Sequence, residues 1–588
     1  MKYNNKTKGW VKCFFLFYLF TFLPLTSSAQ QLTVTVDSVG QLASKLTDDV
    51  RFTMSELKVC GPLNGNDMRI LQTIAGRMKP KRASSHKLQV LDLSEATIPE
   101  GKGGFRTREN ALPAALFINC KDLEHVILPA TLTEIGRSCF SGCINLKVLE
   151  LPETLTTIGE YAFTGCQNLT DITLPQNLSA IKAHAFEGCT SLNCIDIPEF
   201  VTQVESFAFN GCKMLETVNV EGQINRVNEA TFLGCERLQS IALPQSVTYI
   251  GTEAFKGCTS METVEFPELL TEIGSYAFEG CQSLRSVDLV MATTIGTEAF
   301  KGCSSMEHFK VESVKRIGIG AFQNCGNLKE VSIDGTLSAI STESFSGCTS
   351  LSAITIPASI RTIGKRAFYS CKSLTAIDLP ASLSRIDDEA FNQCASLKSL
   401  YIPKLTKQIG KATFENCISL DSVHIEGFIE KLDDNVFRNC HSLRIVLLPV
   451  SVKSVGDNAF EQCASLYAID LPISVSEIGD NAFEKCASLT TMIIPAACTE
   501  IGSAAFRECS GLVRIEFPAA LKKVGGNAFA KCASLREIAL SSPIPPSVSS
   551  STFRGVVMAT CTLSVPKGSR SNYANDKAWK KMARIVEL

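Results

Sequence analysis

The chain has 588 residues, 57 Lys+Arg against 59 Asp+Glu, and 45% hydrophobic residues. That balance leaves no basic footprint for nucleic acid, and the apolar share excludes wholesale disorder. Gly 38 and Pro 22 are ordinary, whereas 25 Cys and 33 Phe beside 2 Trp are not.

Residues 1–29 read as an export signal. Lys2, Lys6, Lys8 and Lys12 precede an apolar run from Cys13 to Leu25, and Ser27-Ser28-Ala29 offers a small-residue cleavage site. The run is shorter than a bilayer span needs, and no second apolar stretch reaches that length. Removing these residues takes four lysines and no acid, so the charge moves from −2 to −6. The expectation is an exported chain without a transmembrane helix, at the cell surface or outside the cell.

Residues 30–105 are expected to form an N-terminal cap. A helix should follow Asn66, with Met68, Leu71, Ile74, Ala75 and Met78 on one side, and Leu88, Leu91 and Leu93 then show one L-x-x-L-x-L spacing. The Gly-rich stretch from Glu100 to Asn110 reads as a loop.

Residues 106–541 are governed by a repeat. Nineteen cysteines from Cys120 to Cys532 fall 23 residues apart, except for steps of 22 into Cys303 and Cys325. A Phe stands three residues before each, and Leu or Met three residues after each. Such self-similarity marks a solenoid, in which each unit dries the face of its neighbour. In the unit Leu146 to Cys166, Leu149 and Leu151 alternate with Glu150 as a short half-buried strand, and Pro152 ends it. Gly159 is expected in a left-handed turn, and Glu160-Tyr161-Ala162-Phe163 as one helical turn. Two repeats lose a residue, between Leu289 and Ile295 and between Val311 and Ile317, both in a strand-exit turn without proline. The fold class is therefore an α/β solenoid: a right-handed leucine-rich repeat coil with a parallel β-sheet, about 19 regular repeats, capped at both ends. Nineteen rungs at about 4.8 Å would span an arc on the order of 90 Å.

Residues 542–588 are expected to be a C-terminal cap. Phe553 falls 24 residues after Phe529, with Val556 where Cys would stand, and Tyr573 and Trp579 suit a lid over the last apolar rung.

The 23-residue unit, near-verbatim from Leu151 to Leu169, resembles the treponemal-type repeat of BspA-like leucine-rich repeat surface proteins. The ending Leu563-Ser564-Val565-Pro566-Lys567-Gly568 through Trp579 is similar to the C-terminal cap common in Bacteroidetes members. Like that family, the chain puts Thr131, Thr154, Ser246, Ser359 and Ser382 where ordinary leucine-rich repeats bury Asn, with Asn177 an exception. The resemblance implies a bacterial cell-surface or secreted protein, with adhesin-type binding of host matrix proteins, cells or other bacteria. It carries no catalytic motif, cofactor or metal site to transfer.

The residues themselves leave three functional readings. An odd column of cysteines pointing the same way suits packed thiols better than disulfides, and no C-x-x-C or His partner gives zinc spacing. The outward strand column carries Glu150, Asp196, Glu265, Asp288, Asp378, Asp470 and Glu516, with Lys310 its only Lys or Arg. A non-enzymatic interaction protein would present that column to proteins or glycans on host or bacterial surfaces, with Glu265, Asp288, Lys310, Tyr401 and His424 as candidate contacts. A carbohydrate-active solenoid enzyme would instead use Glu265 and Asp288 as a carboxylate pair. A passive spacer would use neither. Oligomeric state and anchoring are not written in the motifs.

Overall fold

A computed structural model describes residues 31–51, 53–76 and 88–587. The expected export signal and Met78 lie outside them. Contacts divide the chain into two units, residues 1–244 and 245–588, each a stack of parallel rungs.

In the first unit the strands Gln31–Thr35, Glu56–Pro62, Val90–Asp92, His125–Ile127 and Val148–Glu150 pair in parallel. Leu57, Leu91, Val126 and Leu149 stand in register on the inner face, all nearly or fully buried. The N-terminal residues thus build rungs of the same sheet. A second parallel ladder runs through two-residue strands, from Ala111–Leu112 to Gln203–Val204. The second unit repeats both ladders, and its outer strands end at Thr562–Val565 and Arg584–Glu587. The repeat thus coils as expected, and it runs on into both caps.

The return from the short strand to Cys166 is not a helical turn. It alternates bonds within a rung and bonds to the next. Ala162 N–H donates to Gly159 O (3.2 Å) and Thr164 N–H to Tyr161 O (3.2 Å), while Tyr161 and Phe163 donate to Ala183 O (2.9 Å) and Ala185 O (2.8 Å). The left-handed residue is Tyr161, at φ +57°, and not Gly159. Gly159 is instead a close-approach position, where an added Cβ would stand 2.5 Å from Ile135 O. Gly165, at φ +72°, is the left-handed glycine of this unit.

Two strands without the following proline run on, whereas Ser286–Leu289, also without it, stops at Leu289. His308–Val314 and Glu330–Gly335 are the longest strands of the second unit, with a register irregularity between Val311 and Val314. The lost residue is absorbed there, and Phe309 enters the core 4.4 Å from Phe322.

The core follows the sequence columns. Phe rings stack from Phe117 to Phe232 in the first unit, for example 5.4 Å and 2° between Phe186 and Phe209. In the second unit they stack from Phe255 to Phe553, with 5.3 Å and 1° between Phe322 and Phe345. The cysteines are buried thiols whose Sγ donates to a phenylalanine carbonyl of an earlier rung: Cys166 to Phe140 O (3.2 Å) and Cys348 to Phe322 O (3.1 Å). The hydroxyl column closes the strand-exit turns. Thr154 Oγ1 donates to Ala130 O and Leu132 O, and Ser474 Oγ to Val450 O and Val452 O.

Each end is sealed. The helix Gly65–Ile74 starts on a capping box between Asn64 and Asp67 and buries Met68, Leu71 and Ile74. Asp67, 1% exposed, also accepts from Gly40 N–H (2.6 Å) and Leu42 N–H (3.0 Å), so one carboxylate pins the preceding segment to the helix. At the other end Trp579 and Tyr573 are fully buried, donating to Pro546 O (3.1 Å) and Ser542 O (2.7 Å). Trp579 meets Phe553 edge-on at 5.5 Å.

Candidate functional site

Alternation along a strand sends every second side chain outward. All five residues singled out from the sequence stand exposed on such positions of the second unit. They fall into two groups.

Asp288 and Lys310 face each other across neighbouring strands, with Ser332 next in register. Together with His308, Glu330 and Thr355 they line a shallow hollow of about 340 Å³ floored by Phe309, Val331 and Ile354. Lys310 Nζ lies 2.7 Å from Glu312, whose hydrogen bond raises the ammonium pKa; the fields of Asp288 and Asp334 add to this. His308 lies 3.7 Å from Glu330 and 4.0 Å from Glu307. Glu307 is held below its ordinary carboxylate pKa by Lys329, 2.7 Å away. His308 and Glu330 stand in register with each other, two residues before Lys310 and Ser332, and are not part of the central outward column. The position two residues earlier shares that face and would have found them.

Glu265 ends the strand Thr263–Glu265, which belongs to a different hydrogen-bonded ladder from Ser286–Leu289, the strand of Asp288. Both carboxylates stand on an open, exposed face. Paired general acid and nucleophile chemistry works instead from carboxyls in unlike surroundings, one enclosed and one polar.

The second group sits on Ser399–Ile402, Ser422–Ile425 and Ile445–Leu447, where Tyr401, His424 and Leu447 are in register. Tyr401 and His424 meet edge to face at 5.4 Å, and the Tyr401 hydroxyl bonds the Glu426 carboxylate, which raises its pKa. Leu447 and Ile445 beside it are 53% and 41% exposed, so an aromatic and aliphatic strip replaces the usual polar side chains.

Among the described residues, no group of His, Cys, Asp and Glu is arranged to hold a metal ion, and no helix is long and apolar enough to cross a membrane.

The repeat is also recognisable by comparison. A family model described as a BspA type leucine rich repeat region matches residues 110–239, 225–351, 315–444 and 431–557. The chain belongs to the BspA-type leucine-rich repeat family. No curated protein matches it. Among solved structures, it is similar to a leucine-rich repeat protein from Bacteroides ovatus, 25% identical, over 77% of this chain and 87% of that one, with a TM-score of 0.34. A leucine rich cell surface protein from Faecalibacterium prausnitzii is 28% identical over 54% of this chain and 83% of that one, TM-score 0.35. The pneumococcal vaccine antigen PcpA is 19% identical over 74% and 92%, TM-score 0.23. As a BspA-type solenoid, the chain is a repeat-based interaction protein.

Proposed function

We propose that the protein is exported and acts at the cell surface or outside the cell as an adhesin-type binder of host matrix proteins, cells or other bacteria. The export signal read in residues 1–29 supports the location. The strip of Tyr401, His424 and Leu447 carries the reading: three rungs locked in register present apolar and aromatic groups to water, with Tyr401 48% exposed. Tyr is enriched among interface anchors, a contiguous exposed apolar patch marks an interaction site, and contacts on a repeat surface add along consecutive rungs.

The test is binding of the purified chain to immobilised matrix proteins and to bacterial cells, compared with a Tyr401→Ser/Leu447→Ser variant. Capture weakened roughly tenfold or more by that pair, with the melting curve unchanged, is the expected result. Full capture by the variant would remove the strip from the interface, and no capture by the parent chain would favour a spacer. Glycan hydrolysis abolished by Glu265→Gln would replace the binder with an enzyme.

A further inference from the structure

We infer that the hollow over the strands Ser286–Leu289, His308–Val314, Glu330–Gly335 and Ala353–Thr355 is a docking surface for an extended, Lys/Arg-bearing segment of a protein partner. This deepens the binder reading above and rests on it. It concerns a surface separate from the Tyr401 strip.

The charge arrangement decides the partner's chemistry. Each fixed cation of this face is already held by its own glutamate: Arg285 by Glu262 (3.4 Å), Lys310 by Glu312 (2.7 Å) and Lys329 by Glu307 (2.7 Å). Asp288, Glu330 and Asp334 are exposed, and none of them forms an ion pair with Lys or Arg among the described residues. The field at the hollow is therefore negative around one neutralised lysine, and a cationic partner is drawn to it.

Geometry narrows the class. These acids stand on two rungs, Asp288 on Ser286–Leu289 and both Glu330 and Asp334 two rungs on, so they are spread over about 10 Å of the stack and along one strand instead of converging on a point. A linear run of cations matches that spread better than a single metal ion does. The floor opens no aromatic face to a sugar ring, since Phe309 is only 2% exposed. Ser332 and Thr355 add hydroxyls on the same line as Asp288 and Lys310, suited to the backbone amides and carbonyls of a polypeptide laid across the rungs.

The probe is a fluorescein-labelled decapeptide of alternating Lys and Ser, read by anisotropy against the full chain, with a Glu-Ser decapeptide as its counterpart. The Lys-Ser peptide should bind at low salt and weaken as salt rises, and the Glu-Ser peptide should not bind. Asp288→Asn, Glu330→Gln and Asp334→Asn together should weaken binding about tenfold, given the modest worth of each exposed charge. Lys310→Gln should tighten it severalfold, a gain that misfolding cannot imitate. Asp378→Asn with Asp470→Asn, on other rungs, should leave it unchanged.

Lys-Ser binding that is absent, or equal in the triple variant and the parent, overturns the inference. If binding is lost in Tyr401→Ser/Leu447→Ser instead, the surface assigned here is the wrong one. Failure here with matrix or cell capture intact would leave the binder reading standing, so the two fail separately.

Discussion

The Cys325 thiol donates to the Phe300 carbonyl at 3.1 Å, across 25 residues of sequence. The same bond recurs along the column, so the cysteines are both small apolar fillers and the donors that satisfy buried carbonyls of the phenylalanine rungs. Burial pushes the thiols of Cys166, Cys212, Cys281, Cys325, Cys417 and Cys532 up to about 12.

That shift sets an alkaline limit. An unfolded cysteine releases its proton near about 8.5, so between there and about 12 the native chain holds protons that the unfolded chain has lost. The stability linked to these thiols is complete below the unfolded value and declines as pH rises through the window. Urea midpoints at pH 7.5, 9 and 10 should fall steadily, and thiol reagents should label the column only after unfolding. A midpoint constant over that range would contradict the buried, protonated column.

Phe322 is fully buried, stacked between Phe300 (5.5 Å) and Phe345 (5.3 Å), and touched at an angle by Phe309 at 4.4 Å. Phe322→Ala removes the ring and breaks the stack, and should cost about 3–5 kcal/mol. A denaturation series losing less than about 1 kcal/mol would exclude this column from the core.

The columns were legible because the same chemistry recurs at the same place: Phe three before Cys, and Leu or Met three after it. A rung buried on both sides admits few residue types, so the sequence repeats. The left-handed position was not legible, because it tolerates Ser138, Tyr161, His184, Phe207 and Glu253 alike, all at positive φ. Side-chain identity carries no signal there. The conformation is imposed by the inter-rung bonds, such as His184 N–H to Ser206 O (3.1 Å), which offset the backbone strain. Tyr401 beside His424 follows from the period alone, and so do His308 and Glu330, two residues before Lys310 and Ser332 on the same face; the lengthening of those two strands at their far ends does not.

The corrected role of Gly159 is testable against its neighbour in the column. A Cβ there would meet Ile135 O at 2.5 Å and Gly136 C at 2.9 Å, both backbone atoms. One rung on, the position is Lys182, whose N–H reaches Ile158 O at 3.0 Å, against 2.9 Å from Gly159 to Ile135 O. The same bond is 2.9 Å at Asp387, which carries a Cβ, so bond length alone does not select the glycine; φ does not either, and what Gly159 offers is relief from the close approach of Ile135 O and Gly136 C. Gly159→Ala should cost about 1–3 kcal/mol and Lys182→Ala no more than about 0.5 kcal/mol, read as shifts in urea midpoint. Equal effects would show that the close approach relaxes freely.

Glu415 and Arg438 give a prediction of opposite sign to the usual ion pair. Burial raises the Glu415 carboxyl above its ordinary value and outweighs the opposing pull of Arg438 and the hydrogen bond from Asn392. A carboxyl with a raised native pKa supports the fold while protonated, below the unfolded value of about 4.3, and loses that support as pH climbs through the native value. Glu415→Gln keeps the shape without the charge, and Arg438 is not stranded, since its Nε stays 2.8 Å from Glu461. The variant should match the parent at pH 4 and exceed it at pH 7. Arg438→Met, which leaves Glu415 and Glu461 facing each other without their cation, should instead cost roughly 1–3 kcal/mol at pH 7. Urea midpoints for the two variants at both pH values decide it: a Glu415→Gln chain weaker than the parent at pH 7 would mean that the ion pair outweighs the cost of burying the charge.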